Sequence, residues 1–212
     1  MVKPAKNLWI LSVVLLAACA SLPASGSVEK PIDQATPEMS NQPGSPTQPL
    51  THPPGADASQ FPDLGAAPEL QNRVWINSDH PLRLADLRGK VVLLEMWTFG
   101  CINCQHVIPS LKDWYQKYAD EGLVIIGNHF PEFDYERDLN NVKEAVKEAG
   151  IQYPVAQDNE GKTWSAYNNL YWPTIYLIDK TGHIRYRHVG EGNYQVTEAA
   201  IQALLKETAP GA

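Results

Sequence analysis

The chain is short of cysteine and of positive charge, and each shortage removes a class of function. Its 212 residues carry 17 lysines and arginines against 24 acids, for a formal net charge of −7. With no basic patch to hold a phosphate backbone, a nucleic-acid-binding surface is excluded. Only three cysteines are present. A structural zinc site needs four ligands, and beside Cys101 and Cys104 only His106 lies near in sequence. Thiolates with one histidine suit copper better, so a non-catalytic copper carrier stays open as an alternative. Long apolar runs are also missing. The one behind Lys3 and Lys6, residues 8–18, is too short for a comfortable membrane span.

What that run does fit is an export signal, a short apolar stretch behind positive charge. It ends in Leu16-Ala17-Ala18-Cys19, which resembles a bacterial lipobox. Residues 1–19 are therefore expected to be a lipoprotein signal, with Cys19 the lipid-bearing first residue of the mature protein. An ordinary signal peptide cut nearby is the alternative. Residues 20–60 follow as a Pro/Ser-rich tether, with stretches such as NQPGSPTQPLTHPPG at 41–55. Such a segment buries too little apolar surface to offset its ordering entropy, and its prolines keep it extended. It is expected to be disordered and to hold the domain clear of a membrane. A proline-rich partner site is its other reading.

The folded domain is expected over residues 61–209. Residues 72–84 read as a strand pair turning near Asn77-Ser78-Asp79. Residues 91–96 form a near-continuous apolar run, as in a central parallel strand covered on both faces. A helix with Pro109 inside it is predicted over 104–118, and a second buried strand over 123–128. Leu139, Val142, Val146 and Ala149 share one helical face, with Gly150 as the stop. A short strand at 153–156 and a short helix at 163–168 come next. The strands at 175–178 and 184–189 flank Asp179-Lys180-Thr181-Gly182, a hairpin signal. A last amphipathic helix spans 196–207. Strands alternating with helices and ending in a hairpin predict an α/β class with a mixed sheet.

The chemistry concentrates in VVLLEMWTFGCINC, residues 91–104. There a strand hands over to a helix, and Cys101 falls at the helix N-terminus. Backbone N–H groups at that end favour the thiolate, the attacking species. Cys104 lies one turn in, placed to attack a mixed disulfide and release its substrate. As a structural disulfide, a bridge across two residues would restrain little of the unfolded chain. Ile102 and Asn103 between the cysteines tune the potential.

The strand, the Cys-x-x-Cys pair, Pro109 five residues beyond it and Trp172-Pro173-Thr174 ahead of a strand together resemble the thioredoxin fold. Over roughly residues 61–207 the domain is similar to the exported TlpA-like and ResA-like branch, and WTFGCINC to the thioredoxin-like domain of DipZ-type proteins. The resemblance implies a mixed β-sheet flanked by helices, with a TlpA-type N-terminal hairpin and a central insertion around residues 129–157. It implies that Cys101 attacks and Cys104 resolves, forming a redox-active disulfide without any further cofactor. Glu95, six residues before Cys101, falls where the family keeps a buried acid. Its pKa should be raised by desolvation, so that it relays a proton to or from Cys104. A charge inside VVLLEMW is otherwise expensive, although a strand-end Glu reaching solvent is the plain alternative.

Pro173 matches the family's cis-proline, which packs on the dithiol and offers backbone hydrogen bonds to a substrate, with Trp172 shaping the docking surface. Trp97 and Phe99 read as core or pocket lining. His129 either modulates the thiolate or makes a structural hydrogen bond from a loop, and His183 and His188 read as surface residues. Two departures stand out. Gly100 replaces a tryptophan common among relatives, which predicts a more open docking face. Val107 replaces a glutamate of the ResA-like reductases.

The implied protein is an exported, lipid-anchored thiol–disulfide oxidoreductase facing the periplasm or cell exterior. It would reduce or isomerise disulfides of proteins or small molecules, supplied by a membrane electron donor. A peroxiredoxin-like peroxidase shares the fold. Its usual Pro-x-x-x-Thr/Ser-x-x-Cys pattern is missing here.

Overall fold

The computed structural model describes residues 57–208. The export signal with Cys19, and nearly all of the tether, lie outside the described residues.

The domain is organised around β2 (Val91–Trp97), whose seven residues are all buried. β2 runs parallel to β3 (Leu123–His129) and antiparallel to β5 (Thr174–Ile178). With β1 (Val74–Ile76), β4 (Val155–Gln157) and β6 (Ile184–Val189) these make one six-stranded mixed sheet, in the order β1-β4-β3-β2-β5-β6. A strand buried on both faces needs apolar residues at every position, which is why this one shows no alternation. The pleat still sorts its side chains. Leu93 and Trp97 join the core under α1 (Ile102–Tyr118), α2 (Leu139–Glu148) and α4 (Tyr194–Lys206), whereas Leu94 and Met96 pack with Trp164 of α3 (Lys162–Ala166). By the same two-residue period, Glu95 points to the α1 side.

The hairpin expected at 72–84 is absent. Its first half forms β1, but β1 pairs antiparallel with β4, Val74 opposite Gln157. Asn77 takes a positive φ of 58° and turns the chain away. Pro81, lacking an N–H, then sits where a return strand would need a donor. Leu84 begins a 3₁₀ turn, Leu84–Leu87, instead. The central insertion is present between β3 and β4. It consists of a 3₁₀ turn at Asp134–Arg137 and α2. Gly150, at φ 62°, ends α2 as expected, and the Ile151 N–H closes back on the Val146 carbonyl at 3.0 Å.

The fold includes residues ahead of Phe61. Ala58–Gln60 form a 3₁₀ turn, and the Arg185 guanidinium donates to the carbonyls of Ala58 at 2.9 Å and of Phe61 at 2.8 Å.

Candidate active site

α1 starts two residues before the first buried thiol, with Cys101 in extended conformation as its N-cap. Cys101 is half-buried and its side chain makes no capping bond, so the sulfur stays available at the helix's electropositive end. Cys104, one turn in, is 0% exposed. Both thiols are free. Burial pushes the Cys104 thiol far above its ordinary pKa, and the nearby Glu95 charge and a hydrogen bond with Cys101 push the same way, against a backbone bond at Thr98. The two sulfurs are thus unlike, one placed to react with a partner and one shielded.

Glu95 is fully buried, and burial raises its carboxyl to about 8. Neither of its oxygens has a hydrogen-bond partner. Tyr153, just ahead of β4, is buried beside it with an unpartnered hydroxyl. Its pKa is raised by burial first, then by Glu95 and Cys104. Gly127 makes room for this group. It is the β3 residue opposite Glu95, and a Cβ there would lie 2.8 Å from Trp97 Nε1 and 3.5 Å from the Tyr153 ring. Sequence reading missed Tyr153, which carries no local motif and joins the site only through strand pairing.

The peptide before Pro173 is cis. Pro173 has no N–H, and its carbonyl already accepts from Gly190 at 2.8 Å. A second lone pair of that carbonyl, and the backbone of Trp172, remain as the groups a docked segment would meet at this turn. The Trp172 ring lies against Phe130 and Trp164, with centroids 5.8 and 4.6 Å away.

One other expectation changes. His129 is no loop residue: it ends β3, fully buried, with Nε2 3.3 Å from Thr98 Oγ1 and its ring stacked on Phe99. Burial lowers its pKa to about 4, although Glu136 pulls the other way, so the ring is neutral near pH 7. His106 pairs with Glu191 at 2.6 Å on the exposed side of α1. The space a Cβ at Gly100 would take is filled by the side chains of Glu136 and Tyr135. Glu136 was not singled out from the sequence. Trp97 and Phe99, as expected, line the wall of a groove of about 640 Å³ between α1 and α2.

Exposed apolar side chains gather around the dithiol. Ile102 lies within the motif, Leu170 and Tyr171 precede Trp172, and Phe133 and Tyr135 stack on each other beside Phe99.

Comparison with known proteins agrees with this geometry. The AhpC/TSA family matches residues 60–187. Protein DipZ of Mycobacterium tuberculosis is 46% identical over 157 residues, covering 73% of this chain and 23% of its own length. The chain therefore spans about a quarter of that relative. Thiol-disulfide oxidoreductase ResA of Bacillus thuringiensis is 33% identical over 129 residues, 61% of this chain and 69% of its own. Among solved structures, the thioredoxin-like superfamily protein SPOA0173 is 34% identical with a TM-score of 0.65, over 69% of this chain and 99% of that one.

Proposed function

Because the chain belongs to the AhpC/TSA family and is a thioredoxin-fold thiol–disulfide oxidoreductase, we propose that it is exported, lipid-anchored, and reduces or isomerises protein disulfides through Cys101 and Cys104. The observation that carries the mechanism is the unequal pair, a half-buried Cys101 capping α1 and a sealed Cys104 above a buried acid.

The Cys101 thiolate attacks one sulfur of a substrate disulfide, and the other sulfur leaves as a thiolate. Glu95, protonated at rest near neutral pH, must first release its proton; its carboxylate then takes the Cys104 proton as Cys104 attacks Cys101 Sγ, breaking the mixed disulfide and expelling the second substrate thiolate. Two electrons have passed to the substrate, and the enzyme is left as the Cys101–Cys104 disulfide. The released thiolates take up protons, one of them returned by way of Glu95. A dithiol electron donor at the membrane resets the pair by the reverse exchange. Trp172 and the turn at Pro173 hold the substrate segment over the dithiol.

Support for export and anchoring lies in the sequence: Lys3, Lys6, the apolar run and Cys19, with residues 20–60 as a tether to the domain at 61–209. Palmitate incorporation into the wild type but not into Cys19→Ser tests the anchor. The reaction's direction is tested by equilibrating the pair against glutathione or dithiothreitol. A potential near thioredoxin's, about −270 mV, supports a reductase, and one near that of DsbA, about −120 mV, reverses the assignment.

The family match also favours a second reading, a peroxidase. There the Cys101 thiolate would cleave a peroxide O–O bond to a sulfenic acid, and Cys104 would condense with it, releasing water. Peroxide consumption no faster than by free dithiothreitol removes that reading.

A further inference from the structure

The turn that carries Cys101 is gripped residue by residue from the central insertion and the end of β3. Thr98 Oγ1 meets His129 Nε2, and the Phe99 ring lies between His129 and Tyr135. The Gly100 N–H donates to Glu136 Oε1 at 3.0 Å. The other Glu136 oxygen accepts from the N–H groups of Glu132 at 2.6 Å and Phe133 at 3.0 Å. Glu136 is 0% exposed, and all three partners are backbone donors, the arrangement an ionised carboxylate requires when buried.

The segment holding Glu136 is itself tied down. Asn141 of α2 donates to the Tyr135 carbonyl, and Gln157 of β4 and Asn159 donate to the Arg137 carbonyl. Its carboxylate therefore cannot follow the turn if the turn moves. A Cβ at position 100 would stand 2.3 Å from Glu136 Oε1, so alanine there fits only if the carboxylate end moves off the turn.

We propose that Glu136 is a positioning residue of the redox site: through the Gly100 amide it fixes the turn at 98–101, and it keeps a negative charge behind the nucleophile that makes the pair more strongly reducing. This inference rests on the dithiol reading above. A fixed anion disfavours the thiolate of the reduced form, and a less stabilised reduced form means a lower potential. The insertion thereby sets the redox poise of a motif to which it contributes no cysteine.

The test compares wild type with Glu136→Gln and Gly100→Ala in the full chain. The first removes the charge at nearly constant size. The second leaves the charge but pushes the carboxylate off the turn. Tyr135, whose hydroxyl lies beside Gly100, and Glu95, His129 and Tyr153 on β2, β3 and the approach to β4 stay in both variants. Each variant is expected to alkylate Cys101 faster at neutral pH. Each should also shift its equilibrium with glutathione about tenfold toward the dithiol, about 30 mV for a two-electron couple. Should Glu136→Gln fail to fold, Gly100→Ala alone decides. Variants that lose thermal stability but keep the wild-type equilibrium and alkylation rate overturn the inference. A wild type that exchanges no disulfide at all overturns the functional reading instead.

Discussion

Trp172 and Phe130 lie with their ring planes 9° apart, and the Trp172 indole N–H donates to the Phe130 carbonyl at 3.1 Å. The Phe130 N–H in turn donates to the Trp97 carbonyl at 3.0 Å, at the end of the strand that leads to the dithiol. Phe130 thus registers the turn at Pro173 against the dithiol. Replacing Trp172 by Phe keeps an aromatic ring and loses the hydrogen bond, a stability cost of about 1 kcal/mol. Steady-state kinetics should then show a higher KM for a protein disulfide, with a small aromatic disulfide reduced as before.

Cys104→Ser removes the resolving thiol and leaves the attacking one in place. Mild oxidation should accumulate mixed disulfides with substrates, visible as reductant-sensitive adducts on gels, while multiple turnover falls to background. An absence of adducts under these conditions would count against exchange chemistry.

Glu95→Gln should slow resolution by about 100-fold, the usual size of a general acid–base contribution, and stopped-flow measurement of the second step reads this directly. The same substitution has a predictable effect on folding. Glu95 keeps its proton up to about pH 8 when folded, against an ordinary 4.5. Between those values the folded state holds more protons, so stability falls as pH rises through the window and levels off above it. Wild type should lose roughly 5 kcal/mol relative to the glutamine variant across that range in denaturant titrations.

His129 supplies the opposite limb. Its folded pKa is about 4 against an ordinary 6.5, so the unfolded chain takes up a proton that the folded chain refuses. Stability is present above pH 6.5 and is lost as pH falls toward 4, by about 3 kcal/mol in all. His129→Phe keeps a ring against Phe99 and should flatten this acid limb by one proton.

Gly127→Ala tests the packing beneath the dithiol. Its methyl would press on the Trp97 indole at 2.8 Å. Overpacking of this kind costs about 1–3 kcal/mol, and the shift should also disturb Glu95 across the strand pair. Thermal unfolding reads the first effect, and the pH profile of resolution the second.

The sequence made legible those parts whose signal is local. The near-continuous apolar run at 91–96 announces β2, Cys101 and Cys104 mark the helix start, and Gly150 marks the end of α2. Glu95 was legible because a charge among Leu94, Met96 and Trp97 needs a reason to be there. Glu136 was not, because it stands in an acidic stretch with Glu132, Asp134 and Asp138, where burial of one acid leaves no trace in the pattern. Tyr153 and the Gly127 opening depend on β3 lying between β2 and β4, a tertiary fact. The missing hairpin has a similar cause: β1 found its partner some eighty residues downstream.

The two outer strands of the sheet bear on how the domain can meet a neighbouring copy. β1 is three residues long, and β6 carries Arg187 and His188, its first residue already paired with the backbone of Leu64 and Gly65. Short or charged borders are poor templates for strand addition from a neighbouring molecule. The sheet therefore offers a second copy little backbone to pair with, unlike a protein whose borders are long and apolar.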